Sequence, residues 1–74
     1  MVVEVRLFAT LWEGRFKERE MEFPERSSLG DLLKHLKIVG EEVGILLVNG
    51  RASSAGSPLN PHDVVSIFPS IGGG

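Results

Sequence analysis

V-V-S-I-F-P-S-I-G-G-G, Val64 to Gly74, decides the architecture of this chain. Alternation puts Val65 and Ile67 on one side and Val64, Ser66 and Phe68 on the other, the period of a strand. That strand then runs through Pro69, Ser70 and Ile71 into three glycines. Glycine has the most backbone entropy to lose on ordering and no side chain to pack. Such a tail adds almost nothing to a fold; what it offers is thinness and freedom. The stretch therefore raises two questions, which strand it pairs with and what its tail is for.

Working outward, Val2 to Phe8 alternates too, with Val3, Val5 and Leu7 opposite Glu4, Arg6 and Phe8. A loop from Ala9 to Arg15, with Gly14 as its turn residue, leads to a second alternating run, Phe16 to Phe23. There Lys17, Arg19, Met21 and Phe23 face away from Phe16, Glu18, Glu20 and Glu22. Two such runs joined by a short loop read as an antiparallel hairpin. Pro24 ends it. S-S-L-G-D-L-L-K-H-L then carries leucines at 29, 32, 33 and 36, a helical stripe. Ser28 is the expected N-cap, Asp31 suits the positive end of the helix, and Gly40 is the expected stop. Ile45 to Val48 is a continuous apolar strand closed by the Asn49-Gly50 turn. Arg51 to Asp63 is turn-rich, with a short edge strand expected near its start.

The order is strand, strand, helix, strand, minor strand, strand. If the last strand lies beside the first, the two run parallel and the helix crosses one face. This predicts an α+β fold of the β-grasp, or ubiquitin-like, type: a mixed sheet of four to five strands with one main helix packed on one face. The chain reads as a single domain over 1–74, with 69–74 as an extended flexible tail.

Composition narrows function. The 74 residues include no cysteine, so neither a disulfide framework nor a thiolate metal site is expected. The net charge is -2 and no basic face carries aromatics, which argues against nucleic acid. No apolar run approaches the roughly 20 residues that span a bilayer, and Met1 to Arg6 lacks signal-peptide features. No membrane association and a cytoplasmic location are the expectation. His35 on the polar side of the helix and His62 in a turn are too far apart to suggest a metal site. No Ser-His-Asp set and no paired-carboxylate pocket can be argued.

Strand parity singles out a surface. With the first and last strands adjacent and parallel, Phe8 and Phe68 come together on the face away from the helix, below the tail. Exposed aromatics so grouped suggest a protein contact, which Leu59 would extend. The alternative is that the rings fold under the Arg51 to Asp63 segment as a satellite core. Glu18, Glu20 and Glu22 form an acidic stripe that is either merely solvated or steers docking to a basic partner. Trp12 is open to either role, core cap or partner contact.

L-L-V-N-G-R (46–51), Pro58-Leu59, D-V-V-S-I-F-P (63–69) and the closing glycines together resemble the MoaD/ThiS family of ubiquitin-like sulfur carriers. The F-P-x-I-x-G-G tail and the F-A-T-L at Phe8 to Leu11 are nearer the molybdopterin-synthase small subunit. Ser70 stands where that branch usually has a second proline, and the third glycine is commoner in thiamine-type carriers. The resemblance implies a co-substrate rather than an enzyme, with the reacting group the carboxylate of Gly74. That carboxylate would be adenylated by a ubiquitin-activating-enzyme-like adenylyltransferase using ATP and Mg, then converted to a thiocarboxylate. It would finally serve a sulfur-accepting enzyme, the molybdopterin synthase large subunit first among candidates, as sulfur donor in molybdenum-cofactor synthesis. No cofactor is expected to bind this chain itself.

The residues agree with that chemistry. An α-carboxyl of pKa roughly 3.3 to 3.7 is ionised at neutral pH and a poor electrophile. The chain has no Gly-rich phosphate cradle, so activation requires a partner. Pro69 to Gly74, extended at about 3.3 Å per residue, reaches roughly 20 Å, enough to thread a narrow channel. Gly72 and Gly73 let such a channel close on bare backbone, and Pro69 stiffens the exit from the sheet. Three other readings stay open: a thiamine-type carrier, a protein modifier conjugated through Gly74, and a non-reactive β-grasp binding module with incidental glycines.

Overall fold

The first strand, β1 (Val2–Leu7), buries every second side chain. Val3, Val5 and Leu7 are sealed from solvent while Arg6 is exposed. A computed structural model describes residues 1–70. In it β1 pairs antiparallel with β2 (Glu18–Glu22) and parallel with β5 (Val64–Pro69). β5 pairs antiparallel with β3 (Val43–Val48), which holds the two-residue β4 (Arg51–Ala52) at its far edge. The sheet order is β2-β1-β5-β3-β4. The helix α1 (Leu29–His35) covers one face. This is the mixed sheet and single main helix of a β-grasp fold, as the order of elements predicts.

The core lies between that face and α1. Val3, Val5, Leu29, Leu32, Val65 and Ile67 are fully buried. Each such aliphatic side chain contributes about 1.5–3 kcal/mol by leaving water. Leu11 adds to this core from a 3-10 turn, Ala9–Trp12, that replaces the irregular loop expected there.

A helix of seven residues is marginal by itself, so its ends matter. The backbone amides of Ser28, Leu29, Gly30 and Asp31 would all lack helical partners, and every one is satisfied. Ser28 N–H donates to Asp31 Oδ2 and Asp31 N–H to Ser28 Oγ, a reciprocal capping box. Leu29 and Gly30 N–H donate to the carbonyls of Ser57 and Ala55, at 2.9 and 2.7 Å. The turn-rich segment between β4 and β5 thus completes the helix that the sequence encodes only in part.

The helix stops before Gly40, contrary to expectation, and Gly40 instead opens a second 3-10 turn, Gly40–Glu42. Lys37 takes the left-handed conformation, φ 59°. Its N–H reaches Lys34 O, and Ile38 N–H reaches Leu33 O, the paired bonds of a Schellman end. Ile38 and Leu33 are both buried, so the turn is imposed by the need to return Ile38 to the core. Arg15 reinforces this end, donating to the carbonyls of Leu36 and Leu11.

Asn49 (φ 53°) and Gly50 (φ 81°) form the tight turn between β3 and β4. Asn49 also latches β5: its Oδ1 accepts from Val64 N–H and its Nδ2 donates to the buried Asp63. Pro69 is the last residue of β5, opposite Val43, and Ser70 N–H donates to Glu42 O, so the first two residues of the expected 69–74 tail are held by the sheet; the others lie outside the described residues.

Two outcomes test these ends. Lys37→Gly removes the cost of a left-handed lysine and is expected to stabilise the fold by about 0.5–1 kcal/mol. Thermal denaturation should show this as a rise of about 2–8 °C. The backbone and then the hydroxyl of Ser28, with help from Lys34, hold the Asp31 carboxyl below its usual range. A depressed carboxylate lends stability above its unfolded pKa, and that stability is lost as pH falls through the folded value. Asp31→Asn should therefore unfold more readily than the parent at pH 7, with the gap closing in acid.

Candidate functional site

Because β1 and β5 run in the same direction, their ends meet. The register Leu7 with Ile67 places Phe8 beside Phe68 one step on, and Phe8 N–H continues the ladder by donating to Ile67 O. The two rings stack, with centroids 4.2 Å apart and planes 10° from parallel. Phe8 is 37% exposed. Ala9 (φ 53°) then turns the chain out of the ladder into the Ala9–Trp12 3-10 turn, which packs against β5. The close pair expected from strand parity is present, and the rings do not fold under the Arg51 to Asp63 segment.

Leu59 is elsewhere. It is buried in the core, its N–H donating to Ser27 O beside the start of α1. The segment carrying it packs against the helix N-terminus, so Leu59 cannot extend an open-face patch. The residue that does is Ile45, opposite Phe68 across β3 and 54% exposed. Its signal lay in the sequence. A strand with one covered face exposes alternate residues, so an unbroken apolar run must present some of its side chains to solvent.

Phe8, Phe68 and Ile45 therefore form an apolar row across three adjacent strands at the tail end of the sheet. A mostly apolar cleft lined by Gly44, Ile45, Phe68, Pro69 and Ser70 leads from the row to the tail base. Trp12, 39% exposed, stands at the other end of the row near Phe8, with Lys17 Nζ 4.7 Å from its ring centre. It is not a core cap.

Beyond the row the open face is acidic. Glu4 faces Glu20 across the β1–β2 ladder, and Arg6 lies between Glu4, which it hydrogen-bonds, and Glu18, 3.7 Å away. Among the described residues no cation pairs with Glu20 or Glu22. The face thus joins an apolar patch to a net negative edge. His35 is exposed and sits edge-on to Phe23, and His62 lies in the turn before β5. Among the described residues no cluster of His, Asp or Glu is placed to hold a metal, and no helix is long and apolar enough to cross a membrane. Gly72, Gly73 and Gly74 lie outside the described residues.

Comparison with known proteins fits this geometry. The ThiS family model matches residues 5–74. The chain belongs to the ThiS family. It is a MoaD/ThiS ubiquitin-like sulfur carrier in fold and lineage. No curated protein matches the sequence significantly. Among solved structures it is similar to a putative molybdopterin converting factor subunit 1 from Pyrococcus furiosus, with 30% identity, 96% of this chain and 99% of that one covered, and a TM-score of 0.78. It also resembles the small archaeal modifier protein 1 of Haloferax volcanii, at 23% identity, 95% and 98% coverage, and TM-score 0.78. A third likeness is to a complex of subunits 1 and 2 of molybdopterin-converting factor from Helicobacter pylori, at 24% identity, full coverage of both chains, and TM-score 0.68.

The assignment of core and surface has a direct check. Leu59→Ala should cost about 2–5 kcal/mol, the penalty of an internal cavity. Phe8→Ala should cost only about 1 kcal/mol, mostly the lost stacking. Chemical denaturation of the two variants distinguishes them, and equal costs would reverse the assignment.

Proposed function

We propose that this chain is a sulfur carrier acting through the carboxylate of Gly74. The observation that carries the reading is the match to a sulfur-carrier family running through to Gly74, on a fold whose last strand leads directly toward those glycines. In the first step a carboxylate oxygen attacks the α-phosphorus of ATP inside an adenylating partner and pyrophosphate leaves. A sulfide-level nucleophile then adds to the acyl carbon; the C–S bond forms, the C–O bond to AMP breaks, and a thiocarboxylate remains. The chain supplies the reacting terminus and the docking face, and the partner supplies the nucleotide site. ATP and Mg thus belong to the partner.

The recipient we favour is the large subunit of a molybdopterin synthase. The 30% identity to the Pyrococcus furiosus subunit and the two-subunit Helicobacter pylori complex support it. The patch of Phe8, Phe68 and Ile45 is the proposed contact surface, with Pro69 directing Gly72 to Gly74 into the partner. A second reading, an isopeptide-forming modifier, draws on the fold shared with small archaeal modifier protein 1. Both use the same activation and differ in the final nucleophile, sulfur or a lysine amine.

Intact mass of the protein from its native cells tests the carrier reading. A fraction with sulfur in place of one oxygen, alkylatable and confined to the Gly74 peptide, is the expected result. Conjugates that survive boiling in detergent and thiol would instead favour the modifier. For the surface, Ile45→Asp should leave thermal stability nearly unchanged while weakening partner binding about tenfold or more, or about 1.4 kcal/mol. Titration of the purified pair measures it, and undiminished affinity would remove Ile45 from the interface.

A further inference from the structure

We infer that Gly44 is a positioning residue for the tail: by having no side chain it lets the Pro69–Ser70 backbone lie against β3 and so fixes the line along which the chain leaves the sheet. A Cβ placed on Gly44 would lie 2.5 Å from Pro69 O and 3.0 Å from both Pro69 C and Ser70 Cα. All three are backbone atoms, which cannot swing aside as a side-chain tip does. At Gly14, Gly40, Gly50 and Gly56 an added Cβ would meet nothing within 4 Å, and at Gly30 its nearest neighbour would be 3.1 Å away.

Glycine is not required here for conformation, since the described glycines of positive φ are Gly14 and Gly50. What Gly44 supplies is space. The ladder shows why the approach is so close. Val43 faces Pro69 and Ile45 faces Phe68, so Gly44 is the extra residue of a bulge, a device that re-aims a strand end. Pro69 has no N–H to give to the ladder and sits at this irregular point. Ser70 N–H then donates to Glu42 O at 2.8 Å. The Pro69–Ser70 peptide is thus seated between the Glu42 carbonyl and the bare Cα of Gly44.

Restoring ordinary contact around an alanine here would move that peptide by roughly 1 Å. Displacements of this size are enough to cost about a hundredfold in a reaction that depends on placement. The consequence for catalysis rests on the carrier reading above: Gly74 reaches the partner's nucleotide from the direction set at Ser70. The three atoms nearest that Cβ belong to the backbone of Pro69 and Ser70, and none belongs to Phe8 or Phe68 of the docking row.

The test uses the full chain as wild type, Gly44→Ala and the control Gly40→Ala. Amide hydrogen exchange reads the Ser70 bond, thermal melting reads the fold, and ATP–pyrophosphate exchange with the adenylating partner reads chemistry. Gly44→Ala is expected to raise Ser70 exchange about tenfold or more while Phe8 and the β1–β5 amides keep their protection. The KM for the carrier should stay within about twofold and kcat should fall about tenfold or more. Gly40→Ala should match wild type throughout. Unchanged Ser70 exchange overturns the inference, and so does a loss of protection spread over the whole sheet. A rise in KM at constant kcat overturns it as well. If wild type itself is never adenylated, the carrier reading fails, and the positioning role is then decided by whether the exchange change is confined to Ser70.

Discussion

The parallel pairing of β1 with β5 is the constraint on which the rest depends. Parallel neighbours cannot be joined by a tight turn, so the chain between them must leave the sheet, cover one face and return. That path supplies α1, which encloses the valines of β1 and the Val65–Ile67 face of β5. The same pairing makes the two strands end together. One chain must then turn away and the other can continue, and the left-handed Ala9 settles which. Phe8 is left stacked on Phe68, one residue before the end of β5.

A domain this small has little core to spare, and its polar connections compensate. The seven-residue helix holds because all four of its first amides are satisfied, two of them by a segment distant in sequence. Asp63 is buried, yet it accepts from Asn49 Nδ2 and from Asn60 N–H, so its burial leaves neither side-chain oxygen without a hydrogen bond. These bonds tie the turn before β5 to the turn after β3. The strand that leads to the tail is thereby fixed at its start as well as along its length, and the position of its end follows.

Most of this was legible in the residues. Alternation in Val2 to Phe8 and Val64 to Phe68 gave both the core face and the stacked phenylalanines, because a period of two leaves no freedom once pairing is chosen. The leucine stripe and Ser28 gave the helix and its start. What failed were positions set by tertiary return. Gly40 looked like a helix stop, but the burial of Ile38 forces the turn three residues earlier, on a lysine. Leu59 looked like a surface residue because its segment is irregular, yet that segment is the lid over the helix start. Gly44 carried a readable signal, since an isolated glycine entering a strand marks a bulge or a close backbone approach. Which backbone approached depended on the register of β3 against β5, and no local pattern fixes that.

On the carrier reading, the molecule separates two uses of binding energy. Contacts made by Phe8, Phe68 and Ile45 are the same before and during reaction at Gly74, so they hold the partner without lowering the chemical barrier. If the partner's surface is basic, the acidic edge at Glu20 and Glu22 would act earlier still, on encounter, and salt would weaken it. Only the placement of the tail distinguishes ground state from transition state. At Gly72 to Gly74 that placement cannot be secured by side chains, because there are none. It has to come from the sheet, through backbone contacts at the Pro69–Ser70 peptide, and a residue with no side chain is the one that permits them to be this close. The glycine in β3 and the glycines beyond Ser70 thus answer a single requirement from opposite sides: the tail must be thin where it enters the partner and tightly seated where it leaves its own fold.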